Sequence, residues 1–214
     1  MYVRLTKFVH ACLLVEAESG TVLIDPGQMS HESGLFKVAD LSRLDAIAIT
    51  HEHFDHFSPT FVHELCQKFP EVPIISTPAV RQALTEANIK TGNTSPLIEA
   101  TSIQHENMEP LSGGFTADNI AVNVLNILTH PGDSLQSTLS KSIFAMPLAG
   151  PWGSAIAGIR LAEALRPRFV VPIHDWMWND AWRKDMYERC KVYFAGKNIE
   201  FLMPVDGEAI DIKL

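Results

Sequence analysis

The sequence predicts one α/β domain of four layers, with two β-sheets packed face to face and helices covering their outer sides. Three observations carry this. The chain of 214 residues splits into two halves that each mix a β-meander with βα units, and no long linker or low-complexity tract separates them. Its apolar fraction of 46%, with 20% charged residues, is enough for a sizeable core and too high for a disordered chain. Finally, a short β-branched run, Ala46-Ile47-Ala48-Ile49, is followed at once by a cluster of histidines. That places chemistry at the carboxyl end of a buried strand, where α/β sheets usually put it.

In the first half, residues 2–9, 11–17 and 21–25 read as strands, with Glu18-Ser19-Gly20 as a hairpin turn. Asp25-Pro26-Gly27 ends the third strand and opens a polar loop through His31-Glu32-Ser33, and a helical turn is expected at residues 35–39. After the 46–49 strand, Ser58 offers an N-cap and Pro59 sits at the first helical position, so a helix should run from 59 to about 69. Residues 72–76 form a strand and 78–88 a helix. In the second half, strand sequence resumes at Ile98, and His105 follows residues 101–104. Ser112-Gly113-Gly114 is a turn, residues 115–129 are strands, and Pro131-Gly132-Asp133 closes that run. A strand at 143–146, a helix at 155–165 capped by Ser154 and the very apolar strand Phe169–Ile173 lead to His174. An amphipathic helix over roughly 181–195 precedes final strands at 199–203 and 209–212.

The chemistry concentrates in Thr50-His51-Glu52-His53-Phe54-Asp55-His56. In extended backbone His51 and His53 project to one side, because side chains alternate with period two. Once the chain turns, Asp55 and His56 reach a second point a few ångströms away. One segment can therefore supply two ligands to each of two neighbouring metal ions. Two ions need more, and His105, Asp133 and His174 also stand at strand ends. Gly132, lacking a side chain, lets the chain turn sharply and approach an ion. Asp25 and Thr50, beside the cluster, are candidates for orienting ligand imidazoles from behind. His10 is expected to line the pocket or support a ligand, or else to pack; His31 to be solvated in the polar loop or to reach the mouth of the site; and His63 to lie on a helix surface.

These motifs resemble the metallo-β-lactamase-fold hydrolases. His51, His53, Asp55 and His56 match the family's HxHxDH signature, and His105, Gly132-Asp133 and His174 match its later motifs in order. Residues 9–16 and 23–27 are similar to the branch containing L-ascorbate-6-phosphate lactonase. The resemblance implies a metallo-β-lactamase-like αββα sandwich filling residues 1–214 as a single hydrolase domain. It implies that His51, His53 and His105 hold a first metal, that Asp55, His56 and His174 hold a second, and that Asp133 bridges them. His130 competes with His105, but a ligand on a separate strand end suits the family order, and His130 is expected to support the site from behind. True β-lactamases of the fold use a Cys or lack the bridging Asp, and the flavodiiron reductases carry Glu where this chain has His53.

The expected cofactor is two divalent metal ions, Zn²⁺ by its taste for nitrogen and carboxylate ligands, with Mn²⁺ or Fe²⁺ compatible. Such a pair lowers the pKa of a bridging water, and the resulting hydroxide attacks a small ester, lactone or phosphoester while Asp133, with Asp55, acts as the catalytic carboxylate. A nuclease or nucleotide phosphodiesterase of the same fold is the alternative, and a metal-binding protein without turnover is the third reading. The formal charge of −8 would repel nucleic acid. Phe54, Trp152, Trp176 and Trp178 are candidates for a pocket rim that grips a flat or apolar group. The partner is thus a small-molecule substrate, with no nucleic acid and no membrane expected and a homo-oligomer compatible. Cys12, Cys66 and Cys190 are distant and odd in number, which with the absence of a signal-like stretch suggests a reducing, cytoplasmic setting.

Overall fold

Alternating side chains split each strand's apolar residues between two faces, and here both faces are covered. The structure, a computed structural model, describes residues 1–214. The first half contains β1 (Tyr2–Lys7), β2 (Leu13–Ala17), β3 (Gly20–Ile24), α1 (Gln28–Glu32), β4 (Ala46–Ile49), α2 (Pro59–Lys68), β5 (Ile74–Ser76) and α3 (Pro78–Glu86). The second contains β6 (Ile98–Ser102), β7 (Ile120–Val124), β8 (Leu128–His130), β9 (Ile143–Pro147), α4 (Ala155–Leu165), β10 (Phe169–Ile173), α5 (Asp180–Ala195), β11 (Glu200–Phe201) and β12 (Ala209–Lys213). One sheet has the order β12-β1-β2-β3-β4-β5 and the other β11-β10-β9-β8-β7-β6. In each, an antiparallel meander passes into parallel strands: β3, β4 and β5 in one, β8, β9, β10 and β11 in the other.

Inward residues of both sheets, among them Val22, Ile24, Ala46, Ala48, Val122, Ile143 and Val171, make one core cluster of 22 buried residues. The alternate residues Leu23, Ile47 and Ile49 pack with Phe61, Leu65, Val80 and Leu84 of α2 and α3. Phe144, Met146 and Val170 do the same with Ala162 of α4 and Tyr187, Cys190 and Phe194 of α5. The predicted four-layer αββα sandwich is therefore found. No helix is long and apolar enough to cross a membrane.

The helix starts follow their caps. Ser58 Oγ accepts from the Phe61 N–H, and Asn179 accepts from the Trp182 N–H. Ser154 precedes α4 as expected but makes no side-chain cap. Differences arise where tertiary contacts override local pattern. Strand β1 ends at Lys7 rather than 9, because residues 8–12 form a tight turn in which Phe8 N–H donates to Cys12 O (2.9 Å). The polar loop holds α1, pinned by Gln28 N–H to Phe54 O (2.8 Å) and Ser30 Oγ to Val9 O (2.8 Å). The helical turn expected at 35–39 is a 3₁₀ turn at Val38–Asp40. Residues 115–119 are not strand; Asn119 instead accepts from Ile103 N–H (3.0 Å) through its backbone and spends its side chain on the 131–133 turn.

Gly158 lets α4 lie directly on the end of β9. A Cβ there would fall 2.0 Å from Pro147 O. Helix propensity alone would make Gly158→Ala stabilising by about 1 kcal/mol. The backbone clash reverses that sign, and we expect a loss of roughly 1–3 kcal/mol, read from urea unfolding midpoints.

Candidate metal centre

The carboxyl ends of β3, β4, β8 and β10 meet at one edge of the two sheets. Asp25 follows β3, Thr50 and His51 follow β4, Gly132 and Asp133 follow β8, and His174 follows β10. His53, Asp55 and His56 lie on the tight turn after β4, closed by His56 N–H and Phe57 N–H donating to His53 O (2.9 and 2.8 Å). Two glycines make this crowding feasible. A Cβ on Gly27 would sit 2.0 Å from Asp55 O, and one on Gly132 (φ +60°) 2.1 Å from Asn119 Oδ1.

The side chains gather into two groups of four: His51, His53, His105 and Asp133, and beside them His10, Asp55, His56 and His174. Within each group the ligand atoms lie within 4.8 Å of one another. Asp133 faces both. Its Oδ1 is 2.7 Å from His174 Nε2 and 3.0 Å from His56 Nε2, while its Oδ2 is 3.5 Å from His105 Nε2 and 3.8 Å from His51 Nε2. His56 Nε2 and His174 Nε2 approach to 2.9 Å. His51 Nε2 and His105 Nε2 are buried without a hydrogen-bond partner. Buried polar atoms in folded proteins almost always have partners, so bare lone pairs converging on common points fit divalent cations.

For His51, His56 and His105 the other ring nitrogen explains why Nε2 faces inward. His56 Nδ1–H donates to Asp25 Oδ2 (2.6 Å), and His105 Nδ1–H donates to Glu106 O (2.6 Å). Thr50 Oγ1–H donates to Asp25 Oδ2 (2.8 Å), leaving its oxygen to accept from His51 Nδ1–H (3.0 Å). Each bond fixes the tautomer that presents an Nε2 lone pair. His130 has no such freedom: its Nδ1 accepts from Gly132 N–H (3.1 Å) and its Nε2–H donates to Ala11 O (3.1 Å). It stands behind the site with both nitrogens spent, and His105 is the residue in the first group.

Burial, reinforced by His56, holds the His51 imidazole well below its usual value, and burial with His105 lowers His53. Burial also brings His10 and His130 down to about 4. The lowered values favour the neutral form of His51 and His53, the form able to ligate a cation. Burial opposes charge on His56 and on Asp133, but each is overruled by its neighbours. Asp133, Asp25 and Asp55 hold His56 well above the usual histidine range, and His174 and His56 hold Asp133 well below the usual carboxylate range.

His10 and Trp152, expected at the pocket, line it through partners the sequence does not show, whereas Lys7 and Asp175 carried no signal in it. His10, at φ +68°, accepts from His174 N–H (3.4 Å) through its carbonyl and brings Nε2 to 3.1 Å from Asp55 Oδ2. Trp152 Nε1–H donates to Asp133 Oδ2 (2.9 Å), and its ring meets His174 edge to face at 5.3 Å. Behind His174, Asp175 is fully buried and pairs with Lys7 Nζ (3.0 Å), itself fully buried and 2.7 Å from Asp206 Oδ1. Tyr187 OH also donates to Asp175. An apolar–polar count could not have found Lys7, since nothing local marks a strand lysine as buried. Two expectations are corrected. Trp178 does not reach the rim; the turn in which its N–H donates to Asp175 O (3.0 Å) carries its ring onto the core under α4 and α5. His31 is not simply solvated: it stacks on Phe61 (5.1 Å) and meets Glu64 at 3.2 Å. His63 is on the helix surface beside Gln67.

The sequence profile of the metallo-beta-lactamase superfamily matches residues 5–105. Protein Rv0786c of Mycobacterium tuberculosis is 30% identical over 187 residues, covering 80% of this chain and 83% of that one. Among solved structures, Igni18, a metallo hydrolase from Ignicoccus hospitalis, is similar with a TM-score of 0.73 at 17% identity over the whole of both chains. An isothiocyanate hydrolase from Delia radicum gut bacteria is similar with a TM-score of 0.65 at 19% identity, covering 97% of this chain and 98% of that one.

Two predictions follow from these contacts. Asp25→Asn replaces the acceptor that fixes His56, and metal affinity should fall by about 10- to 100-fold in competition with a chromogenic chelator. Asp175 is buried, which opposes its charge, but Lys7 and Tyr187 outweigh this and lower its pKa. A carboxylate depressed on folding contributes stability above its unfolded value of about 4, and that stability drains as pH falls towards the folded value. Asp175→Asn should therefore lose roughly 3–5 kcal/mol at pH 7 and show a shallower loss between pH 4 and 2, by urea unfolding at each pH.

Proposed function

The chain belongs to the metallo-beta-lactamase superfamily, and from that premise we propose that it is a hydrolase that holds two divalent cations and cleaves a small ester, lactone or phosphoester with water. The observation that carries the reading is Asp133, whose two oxygens face one histidine group each. His51, His53 and His105 with Asp133 would hold one cation, and Asp55, His56 and His174 the other, with Asp133 shared. Imidazole and carboxylate donors suit Zn²⁺ best, and Mn²⁺ and Fe²⁺ accept the same set. When bound, such a pair supplies Lewis acidity and a water whose pKa is brought towards neutrality.

The chain's own groups do the positioning. Asp133 and Asp55 are the carboxylates assigned to orient the attacking water. The Trp152 N–H keeps Asp133 from rotating, and His10 holds Asp55 by the bond at 3.1 Å. Asp25 and Thr50 lock His56 and His51 from behind, so the donors are set before substrate arrives, which is where electrostatic catalysis gains most. No Ser or Cys nucleophile is needed, and Cys12, the nearest thiol in sequence to His10, is buried and pushed above its usual range by burial. The lactone option rests on the similarity of residues 9–16 and 23–27 to the branch containing L-ascorbate-6-phosphate lactonase. That one structural relative is an isothiocyanate hydrolase is in keeping with a hydrolytic role.

The test joins metal counting to kinetics. Protein reconstituted with Zn²⁺ or Mn²⁺ should carry close to two ions per chain by elemental analysis. Asp133→Asn and His53→Ala should each lose at least about 100-fold in kcat/KM on an ester, lactone and phosphodiester panel. One ion per chain, or full activity in either variant, rules out the assignment.

A further inference from the structure

The cleft over the metal centre has a volume of about 560 Å³, within the range of small-molecule sites. Its polar lining is almost entirely the centre itself. Its outer wall is apolar and comes from separate stretches of chain: Met29, Phe54, Met108, Trp152, Trp176 and Met177. Phe54, Trp176 and Met177 are 59%, 53% and 58% exposed and share this one rim. Large apolar side chains left in water around a single concavity mark a surface kept for an apolar ligand. No Lys or Arg lines the cleft; the one ionisable group in the wall outside the two histidine groups is Glu52, whose Oε2 is buried without a hydrogen-bond partner.

From this lining we infer that the substrate is an uncharged carboxylic ester or lactone with an apolar acyl part, and that Trp152, Trp176 and the three methionines form the acyl subsite. The inference rests on the hydrolase reading above and narrows it. An anionic group remote from the scissile bond would be desolvated against rings and thioethers and would face Glu52, with no cation to offset the cost. A phosphodiester carries charge that the two cations would meet at the scissile bond, but beyond them the cleft offers no Lys or Arg to hold a phosphate. An apolar chain loses nothing by the same transfer. Unbranched methionines adapt to differing shapes, so the subsite selects for apolar area rather than one outline. Trp152 joins subsite to centre, since the indole that forms the wall also donates to Asp133. In the hydrolysis the water oxygen bonds to the carbonyl carbon, the ester C–O bond breaks, one water proton goes to the leaving alkoxide, and the acid is released.

The test uses the metal-loaded enzyme and one leaving group throughout. p-Nitrophenyl acetate, butyrate and hexanoate vary apolar length; mono-p-nitrophenyl adipate matches hexanoate in length but ends in a carboxylate; bis(p-nitrophenyl) phosphate represents phosphodiesters. We expect kcat/KM to rise by up to about fourfold per methylene along the neutral series. The adipate should fall at least tenfold below hexanoate and the phosphodiester lower still. Trp176→Ala and Met177→Ser, both on the exposed rim, should each flatten the chain-length slope, the slope being the readout. A phosphodiester or adipate cleaved as fast as hexanoate, or a flat neutral series, overturns the substrate class while leaving a hydrolase in place. No turnover of any compound by protein carrying two ions overturns both.

Discussion

Asp25 is the contact on which the rest of the centre depends. It is fully buried, sits at φ +47° just beyond β3, and uses both oxygens. Oδ1 accepts from Thr50 N–H (2.7 Å), which ties the end of β3 to the end of β4. Oδ2 accepts from Thr50 Oγ1 and from His56 Nδ1, and through Thr50 it also sets His51. A buried carboxylate without such partners would be strongly destabilising, so folding and ligand orientation are coupled in one residue.

The second constraint is that neither half of the chain can finish the centre. Each group of four mixes residues from both sheets: His51 and His53 with His105 and Asp133, and His10, Asp55 and His56 with His174. The inter-sheet core sets their separation, because the alternate faces of β3, β4, β8 and β10 are already committed to apolar packing. Only strand ends and the loops beyond them are free to carry polar side chains. That is why a chain with so many histidines concentrates them at one edge. Lys7 and Asp175 extend the same logic behind His174, where an ion pair inside the protein fixes a residue held at φ +59°.

The cleft adds a different kind of specificity. Polar groups at its floor are shared with the metal centre, whereas the wall is built from apolar side chains on loops and on α1 that make few demands on the fold. Such loops tolerate change, which lets one centre serve different substrates by altering the wall. Glu52 lies between His51 and His53 yet turns towards the wall, so the signature segment contributes to both floor and selectivity.

Local pattern determined much of this protein. The strands Ala46–Ile49 and Phe169–Ile173 and the helix Ala155–Leu165 have the bounds their residues predict, because burial, caps and β-branching act within a few positions. The run His51 to His56, with Gly132-Asp133 and His174, was equally legible, since spacing and strand ends restrict where such side chains can point. What tertiary structure alone decided is which groups are already spent. His130 and His105 are the same residue type near the same site, and it is the long-range bond to Ala11 O, added to the local one from Gly132 N–H, that consumes His130. His10 faces Asp55, 45 positions away, and Trp152 faces Asp133, 19 away, while Trp178 turns into the core. Hydrogen-bond saturation and ring direction depend on chain segments that meet only after the two sheets close, so no local window of sequence contains them.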